Sequence, residues 1–338
     1  YEENQSNTVE NQGENNNSTD NLCNDMYKEI EEGLLEAKST IDISNCVGYD
    51  SSDVVLNTVE KVVYGNPEIL YYEGYEYKNG ILKPKYSKSR EEIIAHQKIV
   101  REKKSEVINN IINQEMTDYE KEKAIHDYIV NNTKYDNGFT TNEGVISPES
   151  HTIYGVLVEG VGVCGGYAKT MKYLLDEVGI DSIVIGGTAN GINHAWNMVK
   201  LDNEYYHVDC TWDDPVMKDG SDTILYDYFN VNDKDIRVSH NWEEGKYPNA
   251  NGVKYTYYHY NNLTISSYDE FYDSIKNAIL NRDTTFERKI LDSKEIPYDV
   301  KGTIEKIIKS HPLRINSLRY TYSTNEDLGI IKITFSYQ

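Results

Sequence analysis

Positively charged residues are scarce in this sequence. It contains 34 lysine and arginine residues against 56 aspartate and glutamate residues, a formal net charge of -22. Because nucleic acids are bound largely through contacts of lysine and arginine with phosphates, this balance argues against a nucleic-acid partner. It argues more weakly against an anionic membrane surface. An acidic field would favour cationic substrates, but its simplest role is to keep the protein in solution.

Long apolar stretches are also absent. No run of about 18 apolar residues occurs, so no segment of this sequence is expected to span a membrane. No signal peptide is visible either. The chain starts at Tyr1 and not at methionine, so we expect that a preceding targeting segment has been removed.

Residues 1–24 have almost no apolar side chains and consist mainly of Asn, Glu, Ser, Thr and Gly. Such a segment cannot bury enough surface to offset the entropy lost on ordering, which predicts a disordered polar tether. Polar tethers are common in exported proteins between an anchor and the folded part. We therefore expect an extracellular or cell-surface-associated protein.

Cysteine is rare, and no two cysteines are spaced as a CxxC pair, which excludes a zinc ribbon and a thioredoxin-like motif. Four cysteines are too few for a disulfide framework, although Cys23 and Cys46 could pair in an oxidising compartment. Neither a metal nor another cofactor is expected. The cysteines are Cys23, Cys46, Cys164 and Cys210.

An internal repeat is the main organisational feature, since residues 27–77 align without gaps onto residues 272–322. Each copy has the pattern of two amphipathic helices followed by a β-hairpin, and Asn79-Gly80 is a strong tight-turn signal. The sequence thus predicts a small ααββ module at residues 25–88 and a second copy at 265–338. The modules would bind substrate or cell wall, or would support the central domain by packing.

The central domain is expected over residues 89–255 and opens with helices. Residues 89–114 form a charged stretch with helical apolar spacing. A further helix should start after Thr117, with Glu120 completing a capping box, and run to about Asn132.

Cys164 lies just before a helix, in the segment Gly-Val-Cys-Gly-Gly-Tyr-Ala. The unpaired N–H groups and the dipole of a helix N-terminus stabilise an anion, which lowers the pKa of a thiol. The alternative is that this cysteine is a small buried hydrophobe. The apolar stripe that predicts the helix consists of Tyr167, Ala168, Met171, Leu174, Leu175 and Val178.

His194 and Asp209 lie on two predicted strands that flank a turn at Asp202-Asn203. In a hairpin about this turn, His194 lies opposite Thr211 and diagonal to Asp209. Both side chains would then point to the same face of the sheet. This is the base and orienting carboxylate that an activated thiol requires.

The segment from Ser150 to Pro215 resembles bacterial members of the transglutaminase-like superfamily, which share a papain-like cysteine-peptidase core. The resemblance implies an α+β fold in which helices pack on an antiparallel sheet. It also implies Cys164 as nucleophile, His194 as general base and acid, and Asp209 as the residue that orients the imidazole. The matching blocks are Tyr154-Gly155, the Cys164 loop and helix, residues 193–197 and residues 206–215.

Four further residues are candidates for the surroundings of the nucleophile. Gly165 stands where glutamine is frequent in the family, which would alter the pocket beside Cys164. Tyr154 is a candidate oxyanion donor or a core residue. Trp196 and Trp212 are expected as walls of a groove or as core.

Three other residues are alternatives to members of the triad. His207 shares a strand face with Asp209 and is a competing but less favoured base. His126 is expected as a capped or surface residue of its helix. Cys210 should point away from Asp209 into the core.

The chemistry expected of this triad is acyl transfer through a Cys164 thioester, from a peptide or a glutamine carboxamide. Water as the acceptor gives a peptidase or amidase, and an amine gives a transglutaminase. The substrate would be a protein or peptide, associated with the cell wall if the chain is exported. The alternative function is a catalytically silent binding or scaffold protein at the cell surface.

Overall fold

The computed structural model describes residues 17–138, 144–215, 223–291, 299–311 and 317–338, with side chains from residue 26 onward. The chain divides into two compact units, residues 1–97 and residues 98–338. Within the described residues, no helix is both long enough and apolar enough to cross a membrane.

The second part of the segment predicted as a disordered tether is helical in the structure. Residues 1–16 lie outside the described residues, but helix α1 begins at Asn17 and ends at Leu35. The short polar side chains at its start are favoured at helix N-termini. Met26, Ile30 and Leu34 form the buried stripe of this helix. The helix therefore extends into the polar segment.

The first unit is built of α1, two further helical segments and a three-stranded antiparallel sheet of order β1-β3-β2. Val55, Val59 and Val62 of α2 are buried against α1 and the sheet because they recur at helical spacing. The remaining elements are β1 (Ile41–Asp42), α2 (Ser52–Gly65), β2 (Tyr72–Lys78), β3 (Ile81–Tyr86) and α3 (Arg90–Ile111), which extends past residue 97.

The predicted ααββ order lacks a strand that the structure has in both segments. In the first segment β1 lies between the two helices and pairs with β3. In the second, β12 (Thr285–Ile290) lies between α8 (Tyr268–Asn281) and α9 (Val300–Ser310) and pairs with β14. A two-residue strand such as β1 has no visible alternation, so the sequence pattern could not show it.

The last elements belong to the second compact unit together with the central region. Their sheet has the order β11-β12-β14-β13, and its final hairpin packs into the core of the unit. Leu328 and Ile330 share a buried cluster with Trp196 and Tyr258. The other strands are β11 (Thr264–Ile265), β13 (Leu318–Asn325) and β14 (Ile330–Tyr337).

The central region has an antiparallel five-stranded sheet of order β10-β6-β7-β8-β9, and α5 packs on its β6 and β7 strands. The strands are β6 (Ser182–Ala189), β7 (Ile192–Leu201), β8 (Glu204–Val208), β9 (Phe229–Val231) and β10 (His240–Asn241). The other elements are α4 (Asp118–Asn132), β4 (Lys134–Tyr135), β5 (Val161–Gly162), α5 (Cys164–Glu177), α6 (Asp233–Ile236) and α7 (Tyr257–Tyr260).

Two local predictions for this region are confirmed. Thr117 caps α4, and Glu120 completes the capping box. In the β7–β8 hairpin Asn197 pairs with Val208, which places the turn at Asp202 and Asn203. Both turn residues have positive φ, as a tight hairpin of this kind requires.

Gly80 provides a test of the first unit. Its φ is +79°, and a Cβ there would lie 2.6 Å from the Cα of Ser44. We expect Gly80→Ala to lower the free energy of unfolding by about 3 kcal/mol, because backbone must move as well as adopt a strained φ. Gly191→Ala is the matched control, since its φ is +78° but nothing lies within 4 Å. It should cost about 1 kcal/mol. Equal losses in urea denaturation would contradict this explanation.

Candidate active site

Cys164 is the first residue of α5 and is half-buried. Burial raises the pKa of its thiol. The hydrogen bond and the positive charge of His194 together lower this pKa. The backbone N–H of Ala195 also donates to the sulfur, so the pKa lies below its ordinary value. The structure thus brings together a thiol at a helix N-terminus and the imidazole expected to activate it.

His194 lies on β7, where its side chain is 8% exposed. Nε2 donates to Oδ2 of Asp209 at 2.7 Å, which leaves Nδ1 to face the thiol of Cys164. Burial lowers the pKa of His194, but the hydrogen bond and charge of Asp209 and the contact with Cys164 raise it to about 10. These interactions favour the imidazolium that pairs with a thiolate.

Asp209 is 1% exposed and accepts four hydrogen bonds. Oδ1 accepts from the backbone N–H groups of Thr211 at 3.0 Å and Trp212 at 3.2 Å. Oδ2 accepts from His194 at 2.7 Å and from His240 at 3.0 Å. Burial raises the pKa of Asp209, but the bonds and charges of the two histidines lower it to about 2. The carboxylate is therefore ionised at neutral pH.

The way in which Asp209 is positioned differs from the prediction. The strand was expected to continue to Trp212, but β8 ends at Val208. The two backbone bonds to Oδ1 turn the chain away from the ladder directly after Asp209. The carboxylate is therefore held by a turn that follows the strand and not by a continued strand.

His240 is a residue of this site that sequence reasoning missed. It lies on the edge strand β10, where it pairs with Ala189 of β6. A two-residue edge strand gives no pattern of its own. One signal was present, because His194 and His240 are each followed two residues later by tryptophan.

Tyr135 was missed for a similar reason. It lies on the two-residue strand β4 and pairs with Gly162, two residues before Cys164. Burial raises the pKa of its phenol, as do the nearby charges of Cys164 and Asp209. The following residue, Asp136, anchors this strand through a 2.6 Å bond from Ser150 Oγ. Tyr135 is therefore close enough to Cys164 and Asp209 for their charges to act on its phenol.

The residues expected around the nucleophile occupy different environments. Trp196 is 1% exposed and donates to His207 Nδ1 at 2.9 Å, which places it in the core, one of its two expected environments. Trp212 is half-buried, with its ring centroid 4.6 Å from that of His240. Tyr154 precedes a π-helical turn at Gly155–Glu159, and its role as oxyanion donor stays a prediction.

The three alternative residues do not form a second centre. His207 is buried, which lowers its pKa, and its Nε2 bonds Asp233 Oδ1 at 2.8 Å. Cys210 is buried, which raises the pKa of its thiol well above the ordinary value. His126 is fully buried and bonds Asp213 at 3.2 Å, so its expected surface position is wrong.

A metal is conceivable at one group of the described residues, because ligating atoms of His194, Asp209 and His240 all lie within 4.8 Å of one another. These residue types suit zinc. However, each histidine Nε2 lies at hydrogen-bond distance from Asp209 Oδ2, which is the arrangement of shared protons.

Comparison with known proteins supports the central resemblance. Residues 105–210 match the family model of the Transglutaminase-like superfamily, and this range contains Cys164, His194 and Asp209. The predicted family resemblance is therefore confirmed, and the chain has a mixed helix-and-sheet fold with a transglutaminase-like core. No curated protein matches the chain.

Three solved structures are similar over part of their length. A crystal structure of a TGase is 19% identical, with a TM-score of 0.30, and the match covers 44% of this chain and 45% of that chain. A candidate cysteine protease from Cytophaga hutchinsonii is 16% identical, with a TM-score of 0.27, and the match covers 42% of this chain and 62% of that chain. A candidate protease from Parabacteroides distasonis is 15% identical, with a TM-score of 0.25, and the match covers 48% of this chain and 41% of that chain. The match covers less than two thirds of each of these structures.

Gly165 and Gly166 form a matched pair for a test of the pocket. A Cβ at Gly165 meets nothing within 4 Å, whereas one at Gly166 would lie 2.4 Å from the carbonyl oxygen of Ser150. We expect Gly165→Gln to leave the unfolding free energy unchanged within about 1 kcal/mol. Gly166→Ala should cost about 3 kcal/mol. Thermal and urea denaturation would measure both, and a comparable loss in Gly165→Gln would show that the pocket beside Cys164 is not open.

Asp209 makes stability depend on pH. Because its pKa is about 2 in the folded protein, below the ordinary 3.8, it stabilises the fold above the unfolded-state pKa. This contribution is lost as the pH falls through the folded-state pKa. We expect Asp209→Asn to lower the unfolding free energy by about 2 kcal/mol at pH 7, with a difference that shrinks below about pH 4.

Asp202→Asn is the control for this measurement, because the ion pair of Asp202 with Lys254 is solvent-exposed and contributes little. Urea titrations of both variants over the acid range would give the comparison. A pH-independent difference for Asp209→Asn would contradict the assignment.

Proposed function

We propose that this protein catalyses cysteine-dependent acyl transfer from a peptide or a glutamine carboxamide through a thioester at Cys164. The observation that carries the proposal is the continuous contact from the thiol of Cys164 through His194 to the buried carboxylate of Asp209. A nucleophile, a base and an oriented carboxylate in this order are what acyl transfer to sulfur requires.

The first half-reaction follows from this geometry. The thiolate attacks the substrate carbonyl carbon, and a C–S bond forms as the carbonyl oxygen becomes an oxyanion. The first turn of α5 offers backbone N–H groups without intrahelical partners to that oxygen. The intermediate then collapses, the C–N bond breaks, and His194 gives its proton to the leaving amine.

The second half-reaction resolves the thioester. His194, now neutral, takes a proton from the incoming nucleophile, which attacks the acyl carbon and releases the thiolate. Water as nucleophile completes hydrolysis, and a primary amine completes transamidation. The same three side chains serve both, so the supply of amine and the exclusion of water decide the product.

The proposed activity can be tested with the full chain and a glutamine-containing peptide, incubated with and without a primary amine and analysed by mass spectrometry. We expect cleavage, conversion of glutamine to glutamate, or an amine adduct, because each is a fate of the same thioester. Cys164→Ala should give none of them. Absence of every product with the unaltered chain would contradict catalysis and favour a silent binding protein.

Thiol reactivity tests the first step alone. Near neutral pH we expect iodoacetamide to label Cys164 at least about tenfold faster than a free cysteine thiol, because His194 lowers the pKa of Cys164. His194→Ala should remove this advantage. Cys210 is an internal control, since its burial and raised pKa should leave it unlabelled in the folded protein. A rate for Cys164 no faster than that of free cysteine would contradict an activated thiolate.

We also propose that the protein acts outside the cell on a protein or peptide, possible sources being the cell wall and surface proteins. The polar composition of residues 1–24 supports this location. Detection of the native protein only in the cytoplasmic fraction of its source cells would contradict it.

The segments 25–88 and 265–338 are proposed to be copies of one module. The shared strand orders β1-β3-β2 and β12-β14-β13 support this proposal. The copy in the second unit also contributes Leu328 and Ile330 to the core that contains Trp196, which favours a packing role for it. Truncation after residue 264 should then destabilise the central region. A truncated chain with unchanged stability would favour a separate binding role.

A further inference from the structure

The two oxygens of the Asp209 carboxylate accept hydrogen bonds from different kinds of donor. A carboxylate offers about four lone-pair positions. Two backbone N–H groups occupy Oδ1, and two imidazoles share Oδ2. Water has almost no access, because the residue is 1% exposed. A donor lost from Oδ2 would therefore not be replaced easily.

His240 is built to donate to this oxygen. Asp209 is ionised and can only accept, so Nε2 of His240 carries a proton. Nδ1 contacts Ser239 Oγ at 2.8 Å, which fixes the ring from its other side. The side chain is fully buried, and its ring packs against Trp196 and Trp212 at centroid distances of 5.0 and 4.6 Å. Neither a flip nor a withdrawal of the ring is compatible with these contacts.

We propose that His240 is a positioning residue of the acyl-transfer site: by sharing Asp209 Oδ2 with His194, it limits how strongly Asp209 holds the proton of His194. The inference deepens the proposed function, and its kinetic part depends on that function. The two Nε2–H groups compete for one oxygen, so each receives less negative charge than a single imidazole would. His240 thereby fixes the carboxylate and also lowers the basicity of His194.

The lower basicity of His194 matters because this residue has two opposite tasks. It must hold a proton to stabilise the thiolate, and it must release that proton to the leaving amine. Without His240, Asp209 would retain the proton on His194 more strongly, and the release step would slow. Thiolate formation would persist, since the imidazolium would still face Cys164. Besides His194, the ionisable groups that interact electrostatically with Cys164 or Asp209 include Tyr135 from β4, Cys210 after β8, Tyr228 before β9 and His240 from β10.

Three variants of the full chain separate this role from simple packing. His240→Leu removes the hydrogen-bond donor and keeps an apolar side chain between Trp196 and Trp212. If this leucine variant does not fold, His240→Met is used in its place. His240→Gln retains an amide N–H that can reach Asp209. His207→Leu is the matched control, because His207 is equally buried and contacts Trp196, but its carboxylate partner is Asp233. Circular dichroism would verify the fold of each variant.

The first readout is the protonation of His194, followed by long-range ¹H–¹⁵N spectra of histidine-labelled protein near pH 10, with His194→Ala to identify its signal. We expect the midpoint to rise by about one pH unit in His240→Leu, as expected for the loss of one charge-assisted bond. It should return to the unaltered value in His240→Gln and stay there in His207→Leu. This readout needs no substrate, so it remains decisive if no acyl-transfer product is ever found.

The second readout is kinetic. In His240→Leu we expect kcat for the glutamine peptide to fall about tenfold with KM unchanged, while iodoacetamide labels Cys164 within about twofold of the unaltered rate. His240→Gln should recover most of kcat. An unchanged or lowered His194 midpoint in His240→Leu would overturn the proposal. An equal rise in His207→Leu, or failure of His240→Gln to restore the midpoint, would do so too.

Discussion

The rest of the site depends on one buried negative charge. The side chain of Asp209 is almost fully removed from water, where an uncompensated carboxylate would be too costly to remain ionised. Its four donors come from a turn, from the central strand β7 and from the edge strand β10, so three parts of the chain must be in place together. The charge then holds the proton on His194, and that imidazolium lowers the pKa of Cys164. The reactivity of the thiol is thus a property of the folded sheet and not of its own loop.

The parts of this arrangement that could be predicted from the sequence are local ones. The apolar stripe after Cys164 indicates α5, and the turn at Asp202 and Asn203 fixes the register of β7 on β8, because spacing and turn chemistry act over a few residues. His240 and Tyr135 could not be found in this way. They reach the site through two-residue strands whose partners are distant in sequence, and such pairings leave no periodic pattern.

The environments of individual side chains are hidden for the same reason. His126 was expected at the surface because a polar residue on an amphipathic helix usually faces water. The structure buries it with Glu122 and Val130 along a second stripe of α4, where Asp213 provides its partner. For Trp196 the local pattern left a groove wall and the core open, and the buried cluster that includes Leu328 and Ile330 decides for the core. In both cases the burying residues come from remote segments, so the local pattern could not reveal the environment.

Cys164 is only half-buried, which has a consequence for the redox behaviour of the protein. A thiolate, the form that His194 favours at Cys164, is also the form that peroxides oxidise, first to a sulfenic acid. Return to the thiol takes two electrons, and a second protein thiol could supply them only by ending in a disulfide that itself needs reduction. An oxidised Cys164 would therefore depend on a small-molecule or protein thiol from its surroundings to recover. Under oxidising conditions, the reactivity of this thiol would last only as long as such a reductant is supplied.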